Sequence, residues 1–96
     1  MAYVEVNVTK VREAGEDIIT LSNDFNNIIK NLSSLFDDLK TDEVWVGPDA
    51  DAYIQKSKLE LEDYYNLGNA IKEIGNIYLY SATAIDTFIK GNNINE

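Results

Sequence analysis

The sequence predicts an all-α protein built as an antiparallel helical hairpin. Apolar residues recur at helical spacing over residues 8–39 and again over 48–90, which is typical of helices that bury one face. The only Trp of the 96 residues lies in the short stretch between these segments, and the only Pro is the first residue of the second segment. We expect one domain, divided as follows: a helix over about 8–40, a turn over 41–47, a helix over about 48–90 and a polar tail over 91–96.

The first helix is defined by a wide apolar face. With Val8 at heptad position a, positions a, d and g hold 14 residues, of which only Gly15 and Ser22 are not apolar. Among the other residues of this segment, only Ile19 is apolar. Asn7 or Thr9 could cap the start. The residues expected to pack in the hairpin or in a dimer are Ile18, Phe25, Ile29, Leu32, Phe36 and Leu39.

The second helix is also amphipathic, with a noisier pattern. Its expected packing residues for the hairpin or a dimer are Tyr64, Leu67, Ile71, Ile74, Tyr78, Ile85 and Phe88. Gly68 and Gly75 form a small-residue stripe with Ala82, which would let another helix approach closely. The alternative is a local bend at helix-weakening residues. Gly91 is the expected stop of this helix.

The apolar faces are wider than one hairpin can cover. Three columns of the first helix are apolar, whereas contact with a single helix covers about two. The excess requires another surface, and a second hairpin would supply it. We therefore expect a dimer that forms a four-helix bundle, and a homodimer or a heterodimer would satisfy the pattern equally.

Composition and charge restrict the function. There is no Cys and no His, which excludes disulfides and thiolate sites and removes the commonest general base. The formal charge of −9 would repel nucleic acids and anionic lipid surfaces. The acidic residues near the turn lack the spacing of a calcium loop, and solvated helix ends explain them. We expect no enzyme activity, no catalytic residues, no metal, no cofactor, no nucleic-acid partner and no stable membrane insertion.

The central turn contains one residue that turn chemistry does not explain. Gly47 permits unusual backbone angles, Pro48 suits the first turn of a helix, and Asp49 is favoured by the helix dipole. Trp45 has no such role. It is either a structural cap on the end of the helix pair or part of a recognition element.

The segment Trp45-Val46-Gly47 resembles the motif of the WXG family of type VII (ESX) secretion systems. The similarity extends over the whole chain in length, in helical layout and in the position of the motif. It implies a helical-hairpin dimer with another WXG-type protein or with itself. It also implies recognition by the export ATPase, with Trp45, Val46 and Gly47 as the recognition turn, and carriage of a larger effector.

The resemblance implies export without a cleaved signal peptide, from the cytoplasm to the extracellular space. The N-terminal stretch fits, because it lacks a basic region followed by a long apolar one. The sequence departs from the family in one respect. Many members carry Tyr-Xaa-Xaa-Xaa-Asp/Glu after the second helix, but Ala82 and Ala84 stand four residues after Tyr78 and Tyr80. A complete export signal would then need a partner or a variant signal.

Two other functions fit the same pattern. One is a cytoplasmic structural coiled-coil subunit, acting as a chaperone or partner of a larger toxin or assembly. The other is a membrane-active protein, which is the weaker alternative because surface-active helices are usually basic and this chain is acidic.

Overall fold

The computed structural model describes residues 7–93 and consists of two α-helices, α1 (Val8–Thr41) and α2 (Pro48–Asn93). They pack on each other along their length as an antiparallel hairpin, which confirms the predicted fold class at the level of the single chain. The molecule is a rod with extents of 74 × 19 × 17 Å. No helix in this part of the chain has the length and apolar character needed to cross a membrane.

Both helices begin with the signals read from the sequence. The side chain of Asn7 accepts a hydrogen bond of 3.1 Å from the Lys10 N–H, so Asn7 rather than Thr9 caps α1. Helix α2 begins at Pro48, and the Asp51 N–H donates to the Gly47 carbonyl at 3.0 Å. Asp49 and Asp51 lie in the first turn of α2, where carboxylates offset the partial positive charge of the free N–H groups.

The predicted end of the second helix is wrong. Gly91 does not stop α2, which continues to Asn93. A glycine near the last turn weakens a helix by only about 1 kcal/mol relative to Ala, so the hydrogen bonds of the preceding turns can carry the helix past it. Residues 94–96 of the expected polar tail lie outside the described residues.

The contact between α1 and α2 is centred on small residues. On α1 the buried positions include Gly15, Ser22 and Ile29 of heptad column a, together with Asn26 of column e. On α2 they form one column at spacing seven: Ile54, Gly68, Gly75 and Ala82, with Ala50 one turn before it. The two axes approach closely because these side chains are short.

The buried stripe of α1 is therefore rotated relative to the expected one. Columns a, d and g form the apolar face of α1, of which one partner helix was expected to cover about two columns. Within the hairpin, column g faces solvent: Leu21, Ile28 and Leu35 are 65%, 56% and 59% exposed. Column e is covered in its place, including Asn26. The rotation follows from size, because Gly15 and Ser22 are the positions where a second backbone can come near.

The closest approach occurs where two glycines face each other. A Cβ atom at Gly15 would lie 2.9 Å from the carbonyl oxygen of Gly75, and a Cβ atom at Gly75 would lie 2.9 Å from that of Gly15. At Gly68 a Cβ atom would lie 2.7 Å from Cγ of Asn26. Gly68 and Gly75 thus lie against α1 of the same chain, where no side chain fits.

A buried polar pair crosses the hairpin near its middle. The Asn26 amide donates to Oδ1 of Asn69 at 2.9 Å, while Oδ1 of Asn26 has no hydrogen-bond partner among the described residues. A different helix register would break the hydrogen bond to Asn69 and leave the Asn26 amide buried without a partner, which costs free energy. The pair therefore favours one register of α2 on α1.

Candidate recognition surface at the hairpin tip

The turn holds Trp45 through its backbone. The Asp42 N–H donates to the Asp38 carbonyl at 2.8 Å, which extends the helical hydrogen-bond pattern by one residue beyond α1. The Trp45 N–H then reaches back to the Leu39 carbonyl at 3.0 Å. Gly47 has a φ of 117°, which supports the expectation that a glycine is needed at this point.

Glu43 has an unusual backbone conformation in the turn, and no pattern in the sequence predicted it. Its φ is 56°, in the left-handed region that non-glycine residues rarely occupy. Its N–H donates to the Lys40 carbonyl at 3.1 Å. Glutamate has no special preference for this conformation, so no residue-type signal could have identified the position.

Trp45 is both packed and accessible. Its ring centroid lies 5.3 Å from that of Tyr53, with the planes tilted by 47°, and Tyr53 meets Phe36 edge-on at 6.1 Å. The three rings join the turn, α2 and α1, and contacts of this kind contribute about 0.5–1.5 kcal/mol each. Trp45 nevertheless remains 41% exposed, and its neighbour Val46 is 60% exposed.

The residues expected to pack divide into two groups. Seven are buried or half-buried: Ile18, Phe25, Ile29, Phe36, Leu39, Ile71 and Ile85. The other six are exposed: Leu32, Tyr64, Leu67, Ile74, Tyr78 and Phe88. Ser22 and Ala50, which were not among the expected packing residues, are more deeply buried, and so is Ala82 of the small-residue stripe. The small-residue stripe of α2 was the signal for Ala82, and the position of Ser22 in column a of α1 was the signal for that residue.

Ten of the exposed large apolar residues share one broad side of the hairpin, here called the apolar face. On α1 it comprises Leu21, Ile28, Leu32 and Leu35; on α2 it comprises Tyr53, Tyr64, Leu67, Ile74, Tyr78 and Phe88. The two sets lie on the same side because Tyr53 of α2 contacts Phe36 of α1 there. A contiguous apolar surface of this extent is typical of a protein–protein interface.

The opposite side of the hairpin is polar. Nζ of Lys58 forms an ion pair with Oδ1 of Asp37 on the other helix at 2.7 Å. Nζ of Lys30 lies 5.8 Å from the ring centroid of Tyr65. Near the tip, Lys40 binds Asp51 at 3.2 Å. These ion pairs are solvent-exposed and contribute at most about 1 kcal/mol each. The polar side therefore needs no partner.

The acidic residues around the turn do not converge. Within residues 7–93, no three carboxylates lie close enough together to hold a metal ion. Asp37 and Asp51 are paired with lysines, whereas Asp38 and Asp42 form no ion pair with any residue in the described part of the chain.

No model of a known protein family, no curated protein and no solved structure matches this chain. The resemblance to the WXG family therefore rests on the motif, its position and the hairpin layout.

Proposed function

We propose that the chain is a secreted substrate or adaptor of a type VII secretion system, recognised by the export ATPase as a dimeric helical hairpin. The observation that carries the proposal is the Trp45-Val46-Gly47 turn at the tip of two long helices. Trp45 is anchored on Tyr53 yet remains partly accessible, so it can hold the turn together and still meet another protein. As an adaptor, the chain would carry a larger effector.

The apolar face supports the dimeric state. Its exposed side chains lie on both helices and extend from the tip towards the open end. Packing two such faces together would give a four-helix bundle with the polar sides outward. Either a second copy of the chain or another WXG-type protein can supply the second hairpin.

A second candidate function is a cytoplasmic structural subunit, acting as a chaperone or partner of a larger toxin or assembly. The same apolar face favours it, because such a subunit would also need a large partner interface.

Export dependence separates the two functions. The gene of the export ATPase is deleted, and the protein is quantified in cells and in culture medium, with a cytoplasmic enzyme as the lysis marker. We expect the protein to disappear from the medium and to accumulate in the cells. Release that is unchanged by the deletion would reject the secretion proposal.

Variants of the turn separate the recognition role of Trp45 from its capping role. We expect Trp45→Ala to remain a folded dimer by circular dichroism and light scattering, yet to be lost from the medium. Leu59→Ala is the control, because Leu59 is 56% exposed and lies on α2, outside the motif and the turn. An unfolded or monomeric Trp45→Ala protein would instead support the role of Trp45 as a structural cap.

A further inference from the structure

An apolar groove lies at the tip, on the same side as the apolar face. It has a volume of about 470 Å³ and is formed where the last turns of α1 meet the central turn. We call it the tip groove. Its lining residues are Leu32, Leu35, Phe36, Asp38, Leu39, Asp42 and Val44. Five of these seven residues are apolar, and the groove is large enough to receive a leucine or phenylalanine side chain.

The charges of the groove are all of one sign. Asp38 and Asp42 are its only charged lining residues, and no Lys or Arg lines it. The lysines near the tip are engaged elsewhere, since Lys40 binds Asp51 and Lys58 binds Asp37. The groove therefore combines a mostly apolar lining with two carboxylates that form no ion pair among the described residues.

The two carboxylates are one helical turn apart. The bond from the Asp42 N–H to the Asp38 carbonyl continues the helical pattern, so these residues are separated by about 6 Å along the axis. The complementary arrangement is a pair of basic side chains three or four residues apart on a helix.

We propose that the tip groove binds a helix of a different protein that inserts a large apolar side chain between two Lys or Arg residues one turn apart. This inference deepens the proposed function by giving the chemistry of the partner at the tip. The inference rests on the proposed function in one respect, because it assumes that a partner protein covers the apolar face.

A second copy of the chain cannot supply this pattern. Its eight basic residues stand at positions 10, 12, 30, 40, 56, 58, 72 and 90, and no two of them are three or four residues apart. Lys10 and Arg12, like Lys56 and Lys58, are two apart and point to different sides of a helix. The partner that fits is therefore a heterologous chain.

The test uses the full chain and two blocked alanine-based peptides of about 17 residues, long enough to form a helix. One peptide carries central leucines between two lysines four residues apart, and the other has glutamates in place of the lysines. Binding is followed by the emission of Trp45, the only Trp, and by the anisotropy of labelled peptide. We expect the lysine peptide to bind about tenfold or more tightly than the glutamate peptide.

Variants locate the binding. The double variant Asp38→Asn with Asp42→Asn should lower the affinity for the lysine peptide by about two- to fivefold per carboxylate. The control is Asp37→Asn with Asp51→Asn, which should leave the affinity unchanged because both residues are already paired with lysines. Leu35→Ala should lower the affinity for the lysine peptide about tenfold. Leu59→Ala, at an exposed leucine outside the groove, should leave the affinity unchanged. Circular dichroism verifies that every variant is folded.

Three results would overturn the proposal. One is equal binding of the two peptides, and another is the absence of saturable binding by the lysine peptide. The third is a homodimer that keeps both peptides out of the tip groove, because a second copy of the chain would then occupy the groove. These outcomes are independent of the export test, because a chain can bind the peptide without being exported and can be exported without binding it.

Discussion

Gly68 shows how one missing side chain fixes the contact between the helices. The carboxamide of Asn26 occupies the space that a Cβ atom at Gly68 would need, and it reaches Asn69 from there. Sequence reasoning marked Gly68 as a position of close approach but did not predict Asn26 opposite it, because asparagine is rarely buried without several partners.

Gly68→Ala should destabilise the hairpin by about 1–3 kcal/mol, because Asn26 must leave its position and that cost exceeds the helix-propensity gain of alanine. Urea unfolding followed by circular dichroism measures the change. Gly91→Ala is the matched control, since no atom lies within 4 Å of a Cβ placed there, and it should be neutral or stabilising by up to about 1 kcal/mol.

The double variant Asn26→Ala with Gly68→Ala tests the cause. Removing the carboxamide makes room for the new methyl group, so Gly68→Ala should cost clearly less in the Asn26→Ala background than alone. Equal costs in the two backgrounds would show that Asn26 does not explain the glycine.

At the scale of the helices, periodicity was sufficient to predict which segments are helical but not how they are rotated. Asn7, Pro48 and the apolar spacing are local signals, and α1 and α2 begin where these signals place them. The rotation of α1 on α2 depends on volume at the contact, which counting apolar columns does not measure. For this reason column g was assigned to a buried stripe that the hairpin itself leaves uncovered.

The uncovered column gives a prediction for the proposed dimer. The double variant Leu21→Ser with Ile28→Ser should weaken dimerisation at least about tenfold, because each side chain would lose the burial of an apolar surface. Within one hairpin both residues are already exposed, so helix content should change little. Sedimentation equilibrium measures the affinity, and Leu59→Ser with Ile77→Ser, also exposed but off the apolar face, is the control.

At the scale of the whole molecule, the negative charge opposes association of identical chains. Each copy carries a formal charge of −9, and the ion pairs it contains are exposed and weak. The sequence predicted this charge but not its distribution, with ion pairs on one broad side and an apolar surface on the other. That division depends on the rotation of the helices.

If the chain forms a homodimer, its affinity should rise when NaCl is increased from about 50 to 300 mM, because screening reduces repulsion between the copies. The lysine peptide at the tip groove should show the opposite salt dependence. Isothermal dilution calorimetry can measure the dimer affinity. A homodimer that weakens with added salt would instead show that attractive ion pairs dominate its interface.

The elongation of the hairpin also determines how the molecule moves in solution. Its radius of gyration is 21.9 Å, whereas a compact domain of the same length would have about 12 Å. Such a rod has a high frictional ratio and elutes early from a gel-filtration column calibrated with globular standards. A single hairpin would therefore be read as a larger particle, so the number of chains in the particle must be determined from mass rather than from hydrodynamic radius.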